Sequence, residues 1–419
     1  MRLYEGSDEM EERTQMVVAG VDTHLAEHVL CLLDGNGRPL MSASFPADEA
    51  GYAGLAAAIG DPAGCLAVGV EGTASYGAGL ARHLLAAGYP VAEVLRPKRA
   101  RRRAGRDKND FADAERAARD ALAGTGVSTP KSQDGWVEAL RFLQVARDAA
   151  VQAQTAAMNR VKGLLATAPE PIRAKYLGMG DKAMMKALRR RRAGKGGSAV
   201  DAAAFLSLRS LSSSWDGARR QAASLGAEMA AILAEEAPAL LAIYGCGTVT
   251  AAALAVAAGD NPSRLGSKGA FASLCAACPV DASSGQVVRR RLNRGGNRAA
   301  NRALHQIVVV RLRHDGRTQA YAARRRAEGK TDREIVRCLV RYVANEVYRA
   351  LLDPKAAPER PGPELRGLRL SLGVSQAAAG AALGVPSSRI SDVERGVRRL
   401  PGLEDSYRAW LVEEEMRRA

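Results

Sequence analysis

Cysteine is sparse. Six in 419 residues are too few to staple a chain of this length, so the thiols are expected to be reduced, as in a cytoplasm. Long apolar runs are missing too: none reaches eighteen residues, and the first fifteen residues are acidic and polar. Neither a membrane span nor a secretory leader is expected. Histidine is scarce, at five, and only His305 falls within thirty residues of Cys275-Ala276-Ala277-Cys278. With no second cysteine pair, those thiols read as small buried residues of an alanine-rich helix rather than a zinc or redox pair. What remains is a soluble, globular composition, 47% hydrophobic and 25% charged, long enough for two or three domains.

Positive charge is the feature that stands out. The chain has 61 Lys+Arg against 45 Asp+Glu, a formal charge of +16. Thirteen basic residues and two acids lie between Gly285 and Lys330, and eight basic residues and one acid between Arg96 and Lys108. The segment from Pro361 onward is close to neutral, with nine arginines and eight acids. Charge this concentrated attracts polyanions through counterion release, and nucleic acid is the usual cytoplasmic one. Solubility alone would be served by scattered charge. An anionic membrane is not expected as a partner, since neither cluster has an apolar face opposite it.

The first 130 residues read as strands with acids at their ends. Val17 to Val21 is a β-rich run ending at Asp22; His28 to Leu33 and Pro39 to Phe45 bracket the hairpin turn Asp34-Gly35-Asn36-Gly37. Helices are expected over Ala47 to Ile59 and Gly77 to Ala87, strands over Ala67 to Val70 (ending at Glu71) and Val91 to Leu95, and helical sequence from Asn109. A three-stranded meander followed by alternating strands and helices gives a mixed sheet covered by helices, the strand order of an RNase H-like fold. Asp22 and Glu71 both end strands, where open α/β sheets build their sites. Asp110 and Asp113 stand at i and i+3 on a helix start. Each alone could be a cap or a surface group. Together, four converging carboxylates need cations between them, and hard oxygen donors suit Mg²⁺ or Mn²⁺, two of which can clamp a phosphodiester.

Gly135 to Leu165 carries a heptad-like seam (Leu140, Leu143, Ala150, Ala157, Val161, Leu164) that fits a long paired helix, serving either dimerisation or packing within the chain. Arg189 to Arg192 and the following glycines read as a basic loop, and Trp215 to Leu241 as a second helix. The Gly245-Cys246-Gly247 turn before a helix is the pattern of a helix-hairpin-helix, whose backbone amides bind phosphate. Ser283 and Ser284 sit on a loop from Pro279 to Gly285, beside Arg289, Arg290, Arg291, Arg294 and the Asn297-Arg298 pair. A serine so placed could attack phosphorus, although it could equally be an ordinary turn residue. Residues 353–363 read as a linker. Beyond them the sequence resembles a helix-turn-helix of the phage-repressor type, which would put Val385, Ile390 and Val393 in its core. Ser387, Ser388, Arg389 and Asp392 would face DNA, with Gln376 at the backbone, though its near-neutral charge also suits protein contacts.

From Val17 to Leu352 the chain resembles the DEDD-type insertion-sequence transposases with a catalytic serine, also known as bridge-RNA-guided recombinases. The resemblance rests on Gly20-Val21-Asp22-Thr23, Gly69-Val70-Glu71-Gly72-Thr73, Lys108-Asn109-Asp110 to Asp113-Ala114, the Gly245–Gly247 turn, and Pro279 to Gly285 before the arginine-rich segment. It implies an RNase H-like domain similar to Holliday-junction resolvases over 16–130, preceded by a tail over 1–15. A helical coiled-coil region over 131–238 and a serine-bearing transposase domain over 239–352 would follow, with the helix-turn-helix domain over 364–419 as an addition. Asp22, Glu71, Asp110 and Asp113 would bind the metals, and Ser284 would form a phosphoserine link to DNA, Ser283 being the rival. The resemblance further implies a composite site in a dimer to tetramer, donor and target DNA duplexes, and a structured non-coding guide RNA. Arg99, Arg101, Arg102, Arg103 and Lys108 would join the second arginine cluster, Gly245 and Gly247 in holding nucleic acid. Asn109 stands where the family usually has Thr or Ser, and Asn293 where it often has Ser. Two rivals share these residues: a metal-dependent structure-specific nuclease or junction resolvase, and a DNA-binding transcriptional regulator.

Overall fold

The computed structural model describes residues 16–95, 109–190, 198–283, 290–293, 295–356, 362–394 and 400–418. They form two compact units: residues up to 135 together with 258–266, and residues 136–257 together with 267 onward. Among the described residues no helix is long and apolar enough to cross a membrane.

The first unit is built on strands β1 (Val17–Thr23), β2 (Glu27–Asp34), β3 (Pro39–Pro46), β4 (Cys65–Glu71), β5 (Val91–Val94) and β6 (Val127–Ser128), in the order β3-β2-β1-β4-β5-β6. The strands β1 to β3 form an antiparallel meander, β1, β4 and β5 run parallel, and β6 closes the edge antiparallel. Strict alternation explains the layers. Ala19, Val21, Leu30 and Leu32 point into a core shared with Leu55 and Ile59 of α1 (Glu49–Ile59) and Leu80 and Leu84 of α2 (Ala78–Ala86). Val18, Val29, Cys31 and Leu33 point the other way, onto Ala114, Ala118 and Ala121 of α3 (Asp110–Ala123). The expected strands and helices are all present; the short strand β6 and a 3-10 turn at Pro62–Gly64 are additions.

Helix α3 lies unusually close to the sheet. A Cβ on Gly20 would stand 2.1 Å from the Ala114 carbonyl oxygen and 2.2 Å from the Ala118 nitrogen, and one on Gly69 would stand 2.5 Å from the Ala117 oxygen. Gly20 and Gly69 are paired in the parallel β1–β4 register. Two adjacent glycines thus make a floor on which an alanine-faced helix rests backbone to backbone. Residues 258–266 complete the unit: Asn261 Nδ2 donates to the Pro130 carbonyl (3.0 Å), its Oδ1 accepts from Ser132 N (3.3 Å), and Arg264 Nη1 donates to the Thr129 carbonyl (3.0 Å).

In the second unit, α4 (Trp136–Thr167) packs along α7 (Ala199–Glu236) of the same chain, with α5 (Glu170–Tyr176) and α6 (Asp181–Arg190) closing one end. At 32 and 38 residues these helices are about 48 and 57 Å long. Within the chain, then, the seam is intramolecular; Leu165 fills it and Leu164 is exposed, one position off the expected register. The sequence reading is corrected in two further places. Arg189 and Arg190 end α6 rather than lying in a loop, and α7 begins at Ala199, well before Trp215. Serine sits in its early turns, but Ser212 and Ser214 hydroxyls bond back to the Leu208 and Ser210 carbonyls (2.7 and 3.2 Å), which keeps polar side chains compatible with helix. The helices α8 (Pro238–Ala242), α9 (Thr248–Ala258), α10 (Lys268–Leu274), α11 (Arg298–His314), α12 (Gly316–Ala327) and α13 (Asp332–Leu352) follow, with a two-stranded hairpin of β7 (Val280–Asp281) and β8 (Arg290–Arg291).

After residue 356, α14 (Gly362–Ser371), α15 (Gln376–Ala382), α16 (Ser387–Glu394) and α17 (Pro401–Arg418) enclose their own core of Leu365, Ala379, Ile390, Val393, Tyr407 and Leu411. Ile390 and Val393 are core as expected, Val385 is half-buried against them, and α17 is an element the sequence reading lacked. Inside, Arg369 holds Glu394 with two bonds (Nε to Oε1 2.5 Å, Nη2 to Oε2 3.0 Å), and the Tyr407 hydroxyl and Gln376 amide donate to the same carboxylate (both 2.7 Å). Burial opposes the charge on Glu394, but these donors outweigh it and hold its carboxyl below the usual range. Glu394→Ala would strand the buried Arg369 cation, a loss of about 3–5 kcal/mol that approaches the whole stability of so small a domain. Limited proteolysis is the measurement: residues 362–418 of the variant should be digested under conditions in which the wild-type segment survives.

Candidate functional site

Parallel pairing of Gly20 with Gly69 and Val21 with Val70 leaves Asp22 and Glu71 as the next residues on neighbouring strands, both buried. The close seat of α3 brings its first turn to the same end of the sheet. Asn109 caps that helix, its side chain accepting from Phe111 N (3.0 Å), so Asp110 and Asp113 are not needed as the N-cap. Both are half-buried. All four expected acids therefore gather at one edge of the first unit, from positions as far apart in sequence as Asp22 and Asp113.

Two residues that sequence reasoning missed complete the cluster. His24 lies just past β1, and its Nε2 stands 3.2 Å from Asp22 Oδ2 and 3.4 Å from Asp110 Oδ2. That nitrogen is enclosed yet meets hydrogen-bond geometry with neither oxygen. One ligand atom from each of Asp22, His24 and Asp110 fits within 4.8 Å of the others. Arg116, one turn along α3, pairs its Nη2 with Glu71 Oε1 and stands 3.2 Å from Asp113 Oδ1. The signals were positional: i and i+2 share a side along a strand, and i and i+3 share a face on a helix.

Burial pushes the Asp22 carboxyl up; His24 opposes this, and Asp113 and Asp110 add to it. Burial likewise raises Glu71, against the pull of Arg116, with Asp22 and Asp113 pushing further. These mutual effects are those of carboxylates close enough to repel, the condition that a bound cation relieves. Oxygen donors plus one imidazole, with an enclosed nitrogen lacking a hydrogen-bond partner, form a donor set that fits a divalent metal. The loop after Glu71 is held by Gln133, whose Nε2 donates to the Thr73 carbonyl (2.6 Å) from a left-handed backbone (φ 56°). A non-glycine residue kept there carries strain that the surrounding contacts must outweigh.

Ser284, Arg99, Arg101, Arg102, Arg103, Lys108, Arg289 and Arg294, with the Arg290 side chain, lie outside the described residues. The hairpin of β7 and β8 brackets the serine loop. Ser283 is exposed, and its hydroxyl donates to Asp281 Oδ1 (2.5 Å). Arg291 and Arg298 are exposed, while Asn297 caps α11 by accepting from Ala300 N (3.0 Å). Gly245 holds a left-handed φ of 86° that favours glycine, and a Cβ there would stand a tight 3.2 Å from the Ile307 carbonyl oxygen; Gly247 faces open space. Ser387, Ser388 and Arg389 are exposed on α16, whereas the Gln376 amide is engaged by Glu394.

Residues 19–168 match a family described as "Transposase", and residues 237–323 match "Transposase IS116/IS110/IS902 family". Residues 365–408 match "Helix-turn-helix". The chain is also similar to the "Insertion element IS110 uncharacterized 43.6 kDa protein" of Streptomyces coelicolor (strain ATCC BAA-471 / A3(2) / M145), at 31% identity over 147 residues. That match covers 34% of this chain and 36% of the relative, about a third of its length.

Proposed function

Because the chain carries IS110-family transposase domains followed by a helix-turn-helix domain, we propose that it is a DNA recombinase that mobilises an insertion sequence. One observation carries this reading: four acids from three separate segments meet at the end of the sheet that the first transposase match spans. The strand order, a meander followed by parallel strands with helices on both faces, is that of RNase H-like folds, and it supports an RNase H-like catalytic unit.

Asp22, Glu71, Asp110 and Asp113 would hold Mg²⁺ or Mn²⁺, which when bound offsets the charge of a phosphodiester. Arg116 keeps Glu71 and Asp113 turned toward the cluster. Ser284, next in sequence after the exposed Ser283, is the proposed nucleophile. Its oxygen bonds to phosphorus as the bond to one sugar oxygen breaks; the serine proton is released, and the displaced oxygen leaves as a hydroxyl. Attack by a sugar hydroxyl of a second strand then restores the serine and rejoins DNA without an outside energy source. The arginine clusters suit two duplexes and a structured guide RNA, and the chain would act as a dimer to tetramer. The helix-turn-helix would recognise element ends or the element's own promoter through Ser387, Ser388 and Arg389.

Trapping tests this. A covalent protein–DNA adduct on denaturing gels should form with wild-type protein, vanish in Ser284→Ala and persist in Ser283→Ala, whose hydroxyl already serves Asp281. Strand cleavage that survives Ser284→Ala with no adduct would replace the recombinase by a water-using nuclease built on the same acids. Promoter binding that survives with no cleavage under any condition would favour the regulator.

A further inference from the structure

We propose that His24 is a nitrogen ligand of the cation held by Asp22 and Asp110, so that this centre favours Mn²⁺ and later transition ions over Mg²⁺. The proposal rests on the reading of the acidic cluster as a cation site. Two donor atoms about 2.1 Å from one octahedral ion lie about 3 Å apart. The 3.2 and 3.4 Å separations of His24 Nε2 from the two aspartate oxygens are close to that spacing, and the nitrogen is enclosed without a hydrogen bond.

The position of His24 is fixed by backbone rather than chance. Its N–H donates to the Glu27 carbonyl (3.0 Å) across the tight turn between β1 and β2, and the Thr23 hydroxyl ties the end of β1 to the Glu71 carbonyl (2.8 Å). Side chains 22 and 24 thus leave the strand end on one side. On the other side of the cluster Arg116 already places a guanidinium against Glu71 and Asp113. The centre is therefore unequal: a fixed side-chain cation at one end, and a mixed oxygen–nitrogen set at the other. Mg²⁺ prefers oxygen donors and sheds water reluctantly, whereas imidazole suits Mn²⁺, Co²⁺ and Zn²⁺ increasingly well.

The test is pulsed electron paramagnetic resonance of Mn²⁺ bound to the full chain freed of any histidine tag. Modulation from ¹⁴N is expected in wild-type protein, replaced by the ¹⁵N pattern when histidine is ¹⁵N-labelled, and lost in His24→Gln. By calorimetry the same variant should lose on the order of tenfold or more in Mn²⁺ affinity, because even outer partners of metal ligands cost that much, and clearly less in Mg²⁺ affinity. The labelled wild type needs no variant, so a folding defect in His24→Gln leaves the test intact. Saturable Mn²⁺ binding without nitrogen modulation would overturn the role of His24 while leaving the acidic centre standing. Equal Mn²⁺ binding by wild type and Asp22→Asn would overturn both.

Discussion

Asp22→Asn is expected to abolish DNA strand cleavage while leaving the fold at least as stable. The loss should be roughly a thousandfold or more, since charge stabilisation by a held cation is worth several kcal/mol and each 1.4 kcal/mol is a factor of ten. The stability side follows from the sign of the shift. Burial raises the Asp22 carboxyl above its unfolded value, only partly offset by His24 and reinforced by Asp113 and Asp110. A carboxyl raised in this way favours folding when protonated and loses that contribution as pH climbs through the folded value. Well above the unfolded value the raised carboxyl weighs against the native state, and asparagine removes that weight. Thermal melts in chelator should show an equal or higher midpoint for the variant, beside gel assays showing no cut product. A variant that keeps more than a tenth of wild-type cleavage would remove Asp22 from the chemistry.

Gly20→Ala should cripple activity from a position that touches no substrate. The added methyl would stand 2.1 Å from the Ala114 oxygen and 2.2 Å from the Ala118 nitrogen, both backbone atoms of α3 that no rotamer change can move aside. The helix must back away from the sheet, at about 1–3 kcal/mol for an overpacked core. Asp110 and Asp113 ride on its first turn, so both leave Asp22 and Glu71 together. A displacement near 1 Å costs on the order of a hundredfold in rate. Chemical denaturation and cleavage assays on the same preparation check both effects. Wild-type activity in a destabilised variant would show that α3 need not sit so close.

The sheet and its four acids were legible because two simple signals coincide there. Continuous apolar runs mark β1, β2 and β4, and the Gly-Val-acid triplet recurs at Gly20-Val21-Asp22 and Gly69-Val70-Glu71. The structure gives that triplet its reason: the glycine admits α3, the valine fills the core, and the acid ends the strand. Arg116 was not legible because one arginine on a helix with many charges looks like a solvated face. His24 was hidden by the turn it belongs to, where a lone histidine has no periodic context. The early turns of α7 were masked by serines whose hydroxyls bond to the helix's own carbonyls, and Gln376 by a buried carboxylate eighteen residues away. In each case a partner distant in sequence, or a local bond that composition does not reveal, decided the outcome.

Residues 258–266 return to the first unit after an excursion of 122 residues, and Asn261 and Arg264 bind the 129–132 segment. A ribosome making this chain therefore releases the acid-bearing unit unfinished and must extrude both long helices before its last piece arrives. Prematurely terminated products would carry all four acids in a unit that lacks its closing segment.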